Sequence, residues 1–327
     1  MRVAVIGLGT ISASHINALL ACGQEIVALC DILPERCESA KEKFGLDSLV
    51  YTDYHEMLRE VKPDSIHIAT PHYLHAPIAC MALDMGINVL TEKPLAISYE
   101  QLSDLKRSLA NSTATLGVCQ QNRYNSAIKY AKKVFGDEKI HSAYGNLVWC
   151  RDEAYYESAD WRGKWETEGG GVMINQALHT LDLLQWFCGM PDKVTANIFN
   201  TSLGGIIEVE DTASALFKVG DDARFVINAT NSSLKSFPVS LTFASDNHKV
   251  DIIGDNIIVD GNFVTRSDGE PLYGKAVYGN GHVPLVSDFY DCIANGREFP
   301  LSLYEAEKVI RLILAMYESH GKEILVK

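Results

Sequence analysis

The opening MRVAVIGLGTIS, Met1 to Ser12, restricts the fold more than any other stretch of the chain. An apolar run, Val3 to Gly7, meets a glycine-rich turn, and the turn leads straight into a helix-period segment. Glycine at Gly7 and Gly9 permits a tight turn and lets a pyrophosphate come close to backbone amides. A helix starting there adds partial positive charge. The third fingerprint glycine is replaced by Ser12, small enough to keep helix and strand close. Asp31 ends the second apolar run, where a carboxylate accepts hydrogen bonds from the adenosine ribose and repels a 2′-phosphate. The pattern predicts a dinucleotide site that favours NAD over NADP. Arg36 can serve a 2′-phosphate instead, or cap or pair on its own helix. A nucleotide-free packing turn is the alternative.

The same rhythm continues. Apolar runs recur at Glu25 to Cys30, Ser65 to Thr70, Asn88 to Thr91 and Thr115 to Cys119, with helix-period segments between them. Pro34 and Gly45 punctuate one of those segments as a start and a stop. Strands alternating with helices imply a doubly wound parallel sheet, and unbroken apolar runs fit strands covered on both faces. Beyond Asn122 longer strand patterns follow, at residues 141–152, 193–202, 211–230 and 249–266, joined by GDD, GDN and DGN turns. One helix interrupts them at Val172 to Phe187, and Ala306, Val309, Ile310, Ile313, Met316 and Tyr317 mark a closing helix. The expected fold is α/β: a Rossmann domain over residues 1–121, then an α+β domain with an open, mostly antiparallel sheet over 122–327.

Composition limits the partners. The 327 residues carry a formal charge of −13, which disfavours nucleic acid and anionic membranes. No run approaches the roughly 20 apolar residues that span a bilayer, and the N-terminus predicts no signal peptide. Eight scattered cysteines without a CxxC pair read as free buried thiols in a cytoplasmic protein.

Two further motifs carry chemistry. LTEKPLAIS places Glu92, Lys93 and Pro94 just after an apolar strand, at the carboxyl edge of the sheet where ligands bind. Pro94 restricts Lys93 to extended angles and favours a cis peptide. The lysine can stabilise an alkoxide as it forms, or be an exposed loop lysine. GGGVMINQALHTLD, Gly169 to Asp182, sets Asn175, His179 and Asp182 at i, i+4 and i+7 on one helical face. That face is an acid/base site, a metal site joined by His72 and His75, or a core histidine satisfied by hydrogen bonds. Zinc usually takes more His or Cys ligands than it offers, and no metal is expected.

With ATPHYLHAPIA, CQQNRYNSA and GHVPLVSDFYDCIANGRE, these motifs resemble the glucose–fructose oxidoreductase / inositol dehydrogenase / rhizopine-catabolism family (Gfo/Idh/MocA) along nearly the whole chain. The resemblance implies hydride transfer between NAD and a secondary alcohol of a sugar, cyclitol or sugar derivative. It implies cofactor contacts from Gly7, Gly9, Thr10, Ile11, Asp31, Ile32, Thr70, Pro71, His75, Glu92, Lys93, Asn122, Trp161 and Arg162. Substrate contacts fall to Lys93, Arg123, Tyr156, Asn175, His179 and His282, with Lys93, His179 and Asn175 as catalytic. Asn175 stands where inositol dehydrogenases have aspartate and cannot take a proton, although members with NQ there exist. Trp161 and Arg162 also read as a surface aromatic–Arg stack. Arg123 and Arg162 leave room for a carboxylate or phosphate on the substrate. The resemblance also implies a homodimer or homotetramer through the C-terminal sheet. A glycosidase that oxidises and re-reduces its sugar, and a non-catalytic NAD- or sugar-sensing regulator, are the alternatives.

Overall fold

The computed structural model describes residues 1–219, 223–254, 256–264 and 281–327. The chain begins β1 (Arg2–Ile6), α1 (Ser12–Ala21), β2 (Glu25–Cys30), α2 (Pro34–Phe44), β3 (Leu49–Tyr51), α3 (Tyr54–Val61) and β4 (Ser65–Ile68). It continues α4 (His75–Asp84), β5 (Asn88–Glu92), α5 (Tyr99–Ala110), β6 (Leu116–Cys119), α6 (Ser126–Phe135) and β7 (Ser142–Val148). Then come α7 (Glu153–Glu157), α8 (Val172–Asn175), α9 (Leu178–Cys188), β8 (Lys193–Phe199), β9 (Thr212–Val219), β10 (Ala223–Thr230) and β11 (Ser240–Ala244). Last are β12 (Lys249–Ile253), β13 (Asn256–Val259), β14 (Asn262–Val264), α10 (His282–Ala294), α11 (Leu303–Ser319) and β15 (Ile324–Leu325).

Local chemistry sets several boundaries. Proline starts α2, and Gly45 ends it in the left-handed region at φ 65°. Asp53 accepts a hydrogen bond from His55 N to cap α3, and Ser98 accepts one from Gln101 N to cap α5.

The chain forms two compact units. The first holds Met1–Tyr124 and the later segment that ends at Glu307. Its sheet has the order β3-β2-β1-β4-β5-β6, all parallel, with the strand order reversing between β1 and β4. Ligands of such sheets sit beyond the carboxyl ends of the strands at that reversal. Strands β4 and β6 are buried at every residue, as strands covered on both faces must be. The three-residue β3, on the sheet edge, is too short to show as a period and is absent from the sequence-based expectation.

The segment Gly281–Glu298, expected with the second domain, belongs to the first unit. Its apolar face supplies the reason. Leu285, Val286, Phe289 and Tyr290 join the core that contains Ile16, Leu19 and Leu90. Phe289 meets Phe299 edge-to-face at 5.2 Å, and Val118 N donates to Leu301 O at 3.0 Å. The chain therefore passes from the first unit to the second twice, first after Tyr124 and again within α11, and returns to the first in between.

The second unit is built on a nine-stranded sheet, β14-β13-β12-β11-β7-β10-β9-β8-β15. Its described pairings are antiparallel except β10 with β7, so the expected meander is interrupted once. β7 alternates strictly, with Ala143, Gly145 and Leu147 buried, and α9 packs on that face. Phe187 stacks on Phe243, and Phe135 meets both edge-to-face in one aromatic cluster. The expected GDD turn, the Asp255 position of GDN and the strand end at 265–266 lie outside the described residues.

No helix of the described residues is long and apolar enough to cross a membrane. All eight cysteines are free. Phe289→Ala is expected to lower stability by about 3–5 kcal/mol in denaturant unfolding, as large-to-small changes do in full cores. A loss below about 1 kcal/mol would show that α10 does not build this core.

Candidate active site

The glycine-rich turn lies at the carboxyl end of β1. Gly7 has φ +89°, and a Cβ there would stand 2.6 Å from the Ala69 carbonyl, so only glycine fits. Its N–H donates to Cys30 O at 2.8 Å and ties the turn to the end of β2. A Cβ on Gly9 would meet nothing within 4 Å, so the turn is open on that side. Ser12 Oγ donates to Gly9 O at 2.7 Å and closes the turn where a third glycine was expected. No side chain caps α1, whose first N–H groups and partial positive charge face the turn. These features fit a pyrophosphate.

Asp31 is buried behind the turn. Its Oδ2 accepts from Leu8 N at 2.7 Å and its Oδ1 from Leu33 N at 3.0 Å. The carboxylate thus holds the turn in shape while keeping lone pairs for a ribose. Arg36 Nη1 lies 3.5 Å from Asp31 Oδ1, the pairing reading of that residue. Ile32 is exposed beside it.

The Lys93–Pro94 peptide is cis, as the sequence favours. Lys93 follows β5 directly, and its N–H donates to Glu92 Oε2 at 3.2 Å. His75 is buried, with Nδ1 2.7 Å from Pro94 O and Nε2 2.9 Å from Thr70 O. Both ring nitrogens face backbone carbonyls, so His75 braces the loop of Thr70 and Pro71 against the lysine turn. It does not present a nitrogen to the cofactor.

Beneath the turn runs a buried polar chain that the sequence does not reveal. Glu92 Oε1 is 2.9 Å from His15 Nε2, and His15 Nδ1 is 2.8 Å from His67 Nδ1. His67 Nε2 reaches Tyr290 OH at 3.0 Å. A His15 ring nitrogen, a Glu92 oxygen and Cys119 Sγ lie within 4.8 Å of one another. Burial would raise the Glu92 carboxyl, but the bond to His15 and the charges of His15, His282 and Lys93 carry it well below the ordinary range. His282, expected to meet substrate from the second domain, is 2% exposed inside this cluster, its ring 6.1 Å from that of His15. Burial pushes its pKa down to about 4. Arg123, also expected at the substrate, is buried with Nη1 2.9 Å from Glu305 Oε1. Asn122 precedes it in a half-buried 3₁₀ turn.

In the second unit the expected helix is two pieces, α8 and α9, parted at Gln176–Ala177. Asn175 ends the first, His179 lies in the first turn of the second, and Asp182 is fully buried. The three are therefore not one continuous helical face. The glycines before them have a packing cause. A Cβ on Gly171 would stand 1.9 Å from Glu210 O. Glu210 Oε2 accepts from Gly171 N at 2.8 Å, and Oε1 accepts from Met173 N and Tyr317 OH, both at 3.0 Å. This carboxylate seats the start of α8 and so places Asn175 and His179.

Asn175 donates from Nδ2 to the fully buried Glu168. The same nitrogen lies 3.5 Å from Tyr155 OH, which also accepts from Gln176 Nε2 at 3.1 Å. Tyr156, the expected substrate residue, turns inward instead. It packs with Leu203, Ile207 and Val209, and its hydroxyl accepts from Asn231 at 3.2 Å. Adjacent helical residues point about 100° apart, so the two tyrosines cannot share a face. Arg162 donates to Tyr155 OH and stacks on Tyr155 and Trp161, the aromatic–Arg arrangement.

Comparison with known proteins decides the family. Residues 1–120 match the oxidoreductase family with an NAD-binding Rossmann fold, and residues 135–256 match the GFO/IDH/MocA C-terminal domain. The chain belongs to the GFO/IDH/MocA family. It is similar to 2,7-anhydro-N-acetylneuraminate hydratase of Mediterraneibacter gnavus, 29% identical over 53% of this chain and 45% of that one. It is similar to inositol 2-dehydrogenase of Salmonella typhimurium, 31% identical over 57% and 54%. The matched region thus spans about half the length of these curated relatives. Among solved structures it is similar to the WlbA dehydrogenase of Bordetella pertussis in complex with NADH and UDP-GlcNAcA. That likeness has a TM-score of 0.85 at 28% identity and covers 100% of this chain and 98% of that one.

Two outcomes test this geometry. Burial pushes the Glu210 carboxyl from 4.5 up to about 7, against the three donors that face it. A folded acid with a raised pKa keeps a proton that the unfolded chain has released. Its contribution to stability is full below pH 4.5 and is lost as pH rises through 7, about 3 kcal/mol in all. In chemical unfolding at stepped pH, the wild type should therefore lose stability across that window relative to Glu210→Gln. Parallel pH profiles would refute the buried proton. For the cofactor turn, Asp31→Ser should weaken NAD and narrow its advantage over NADP at least tenfold by fluorescence titration. An unchanged ratio would remove Asp31 from cofactor selection.

Proposed function

We propose that this protein is an NAD-dependent dehydrogenase that removes hydride from a secondary alcohol of a sugar, cyclitol or sugar derivative. The observation that carries the reading is the pairing, within one chain of this family, of an EKP lysine at a sheet edge with a histidine and an asparagine seated by Glu210. Bound NAD supplies the hydride acceptor. The Gly7–Ser12 turn holds its pyrophosphate, and Asp31 takes the adenosine ribose. His179 Nδ1 is buried, which leaves Nε2 to accept the carbinol proton. Lys93 stabilises the developing alkoxide with its ammonium. The amide of Asn175 donates to Glu168, so Oδ1 is the atom that accepts from a substrate hydroxyl. Thr10, Ile11, Thr70 and Pro71 line the cofactor in this reading.

The relative named a hydratase supports a second reading, transient oxidation at the same site with no net change in NAD. The eight free thiols support action in the cytoplasm. The outer face of the second sheet, with Tyr144 and Leu216 exposed on either side of Val226, supports assembly into a homodimer or homotetramer.

Absorbance of NADH on mixing with NAD and a panel of cyclitols, aldoses, sugar acids and nucleotide sugars tests the activity. Product from one group names the substrate class. Silence on the whole panel, with NAD demonstrably bound, would count against net oxidation. His179→Asn should keep NAD affinity and lose at least about a hundredfold in turnover. Lys93→Met should fall comparably in kcat. Undiminished turnover in either would strike that residue from the mechanism.

A further inference from the structure

Two arginines lie over the ring of Tyr155, whose hydroxyl is 3.5 Å from Asn175 Nδ2. Arg151 follows β7, with its guanidinium carbon 4.8 Å from the centroid of the Tyr155 ring and 4.9 Å from that of Trp149. Arg162 lies over the same tyrosine at 4.3 Å and over Trp161 at 4.7 Å. Both side chains are half-buried. No carboxylate of the described residues comes within ion-pair distance of either. In a chain with a formal charge of −13, two neighbouring cations without counter-ions are a departure that calls for a cause.

Two acids of the same region are committed elsewhere. Asp152 accepts from Tyr155 N at 3.0 Å as the cap of α7. Glu168 accepts from Gly163 N and from the Asn175 amide.

The donors of the two arginines are little used. Arg151 gives Nη1 to Cys150 O at 2.8 Å, and Arg162 gives Nη1 to Tyr155 OH. The Nε atoms of both are buried without an acceptor. Stacking uses the guanidinium faces, and the N–H donors lie on the edges. A planar fork of donors is suited to bidentate binding of carboxylate or phosphate. Tyr155 OH links the pair to the substrate-orienting amide, since it accepts from Arg162 and Gln176 and lies 3.5 Å from Asn175 Nδ2.

We propose that Arg151 and Arg162, stacked on Tyr155, form an anion site for the substrate, so that the sugar oxidised here carries a carboxylate or a phosphate close to its reacting carbinol. This rests on the dehydrogenase reading for the identity of the substrate, though not for the binding of the anion. Arg151 is the new element, for nothing in its sequence context, WCRDE, marks it. The aromatic planes hold both guanidiniums in place before substrate arrives, which lowers the ordering cost of binding.

The test uses matched compounds with NAD: D-glucose without charge, D-glucuronate with a carboxylate, glucose 6-phosphate and UDP-glucose with phosphates. An anionic arm should exceed glucose at least tenfold in kcat/KM. Activity in the glucuronate arm assigns a carboxylate, and activity in the phosphorylated arms a phosphate. In Arg151→Gln the anionic-to-neutral ratio should fall at least tenfold, mainly through KM, and Arg151→Lys should restore part of it. A role confined to folding would lower all arms together and leave the ratio unchanged, and that result would overturn the proposal. Preference for glucose would also overturn it. Should no arm yield NADH, net oxidation of these glucose compounds is excluded separately, and calorimetric titration of D-glucuronate and of inorganic phosphate into the NADH-loaded protein still decides the site. Saturable binding weakened tenfold or more by Arg151→Gln would uphold the anion site. Absence of binding would reject it.

Discussion

A carboxylate buried against backbone N–H groups holds each glycine-rich turn of this protein. Asp31 accepts from Leu8 and Leu33 behind the GLGTIS turn, and Glu210 accepts from Gly171 and Met173 behind the GGG turn. The device answers one physical demand. A ligand-binding turn needs glycine so that its backbone can pass close to something, but glycine leaves the chain loose. Bonds from the turn's own amides to a fixed acceptor remove that freedom without adding bulk. A buried carboxylate lacking such donors would itself be costly, so turn and acid stabilise one another. The two sites differ in the groups that face the acid. Asp31 keeps Arg36 at 3.5 Å, whereas Glu210 meets only neutral donors and its pKa rises to about 7.

The chemistry follows from what each turn carries onward. Behind the first, the sheet reversal between β1 and β4 and the open side of Gly9 give a backbone cradle with partial positive charge. Behind the second, α8 and α9 start from a fixed point, which sets Asn175 against Glu168 and places His179 in the first turn of α9. Where the resemblance to the inositol dehydrogenases implies aspartate, this chain has an amide hydrogen-bonded to a buried glutamate. An amide cannot take a proton, so in the proposed reading Asn175 orients the substrate hydroxyl rather than relaying a proton.

Much of this was legible because it is local. GLGTIS, the acid after the second strand, Pro34 and Gly45 around α2 and the EKP turn all place their meaning within a few residues of one another. What stayed hidden depends on distance or phase. Glu210 and Tyr317 lie 39 and 146 positions beyond Gly171, and nothing in their neighbourhoods marks them as its partners. His282 reads as a loop residue, yet the apolar face of α10 draws it into the first unit, where it packs on His15. Tyr155 and Tyr156 are indistinguishable as letters, and only the phase of α7 sends one to Asn175 and the other into the core. Arg123 was expected at the substrate, but Glu305, 182 residues on, neutralises it.

The central claim is that hydride passes from a substrate carbinol to NAD held by this chain. Stopped-flow absorbance at the nicotinamide band tests it most directly, with enzyme in excess over NAD and the best-binding sugar derivative added in one mixing step. The account predicts a transient of bound NADH approaching the amount of NAD supplied, whether or not free NADH later accumulates, with a slower rise when the reacting carbon carries deuterium. Saturable binding of both NAD and sugar with no absorbance change on any timescale would contradict it.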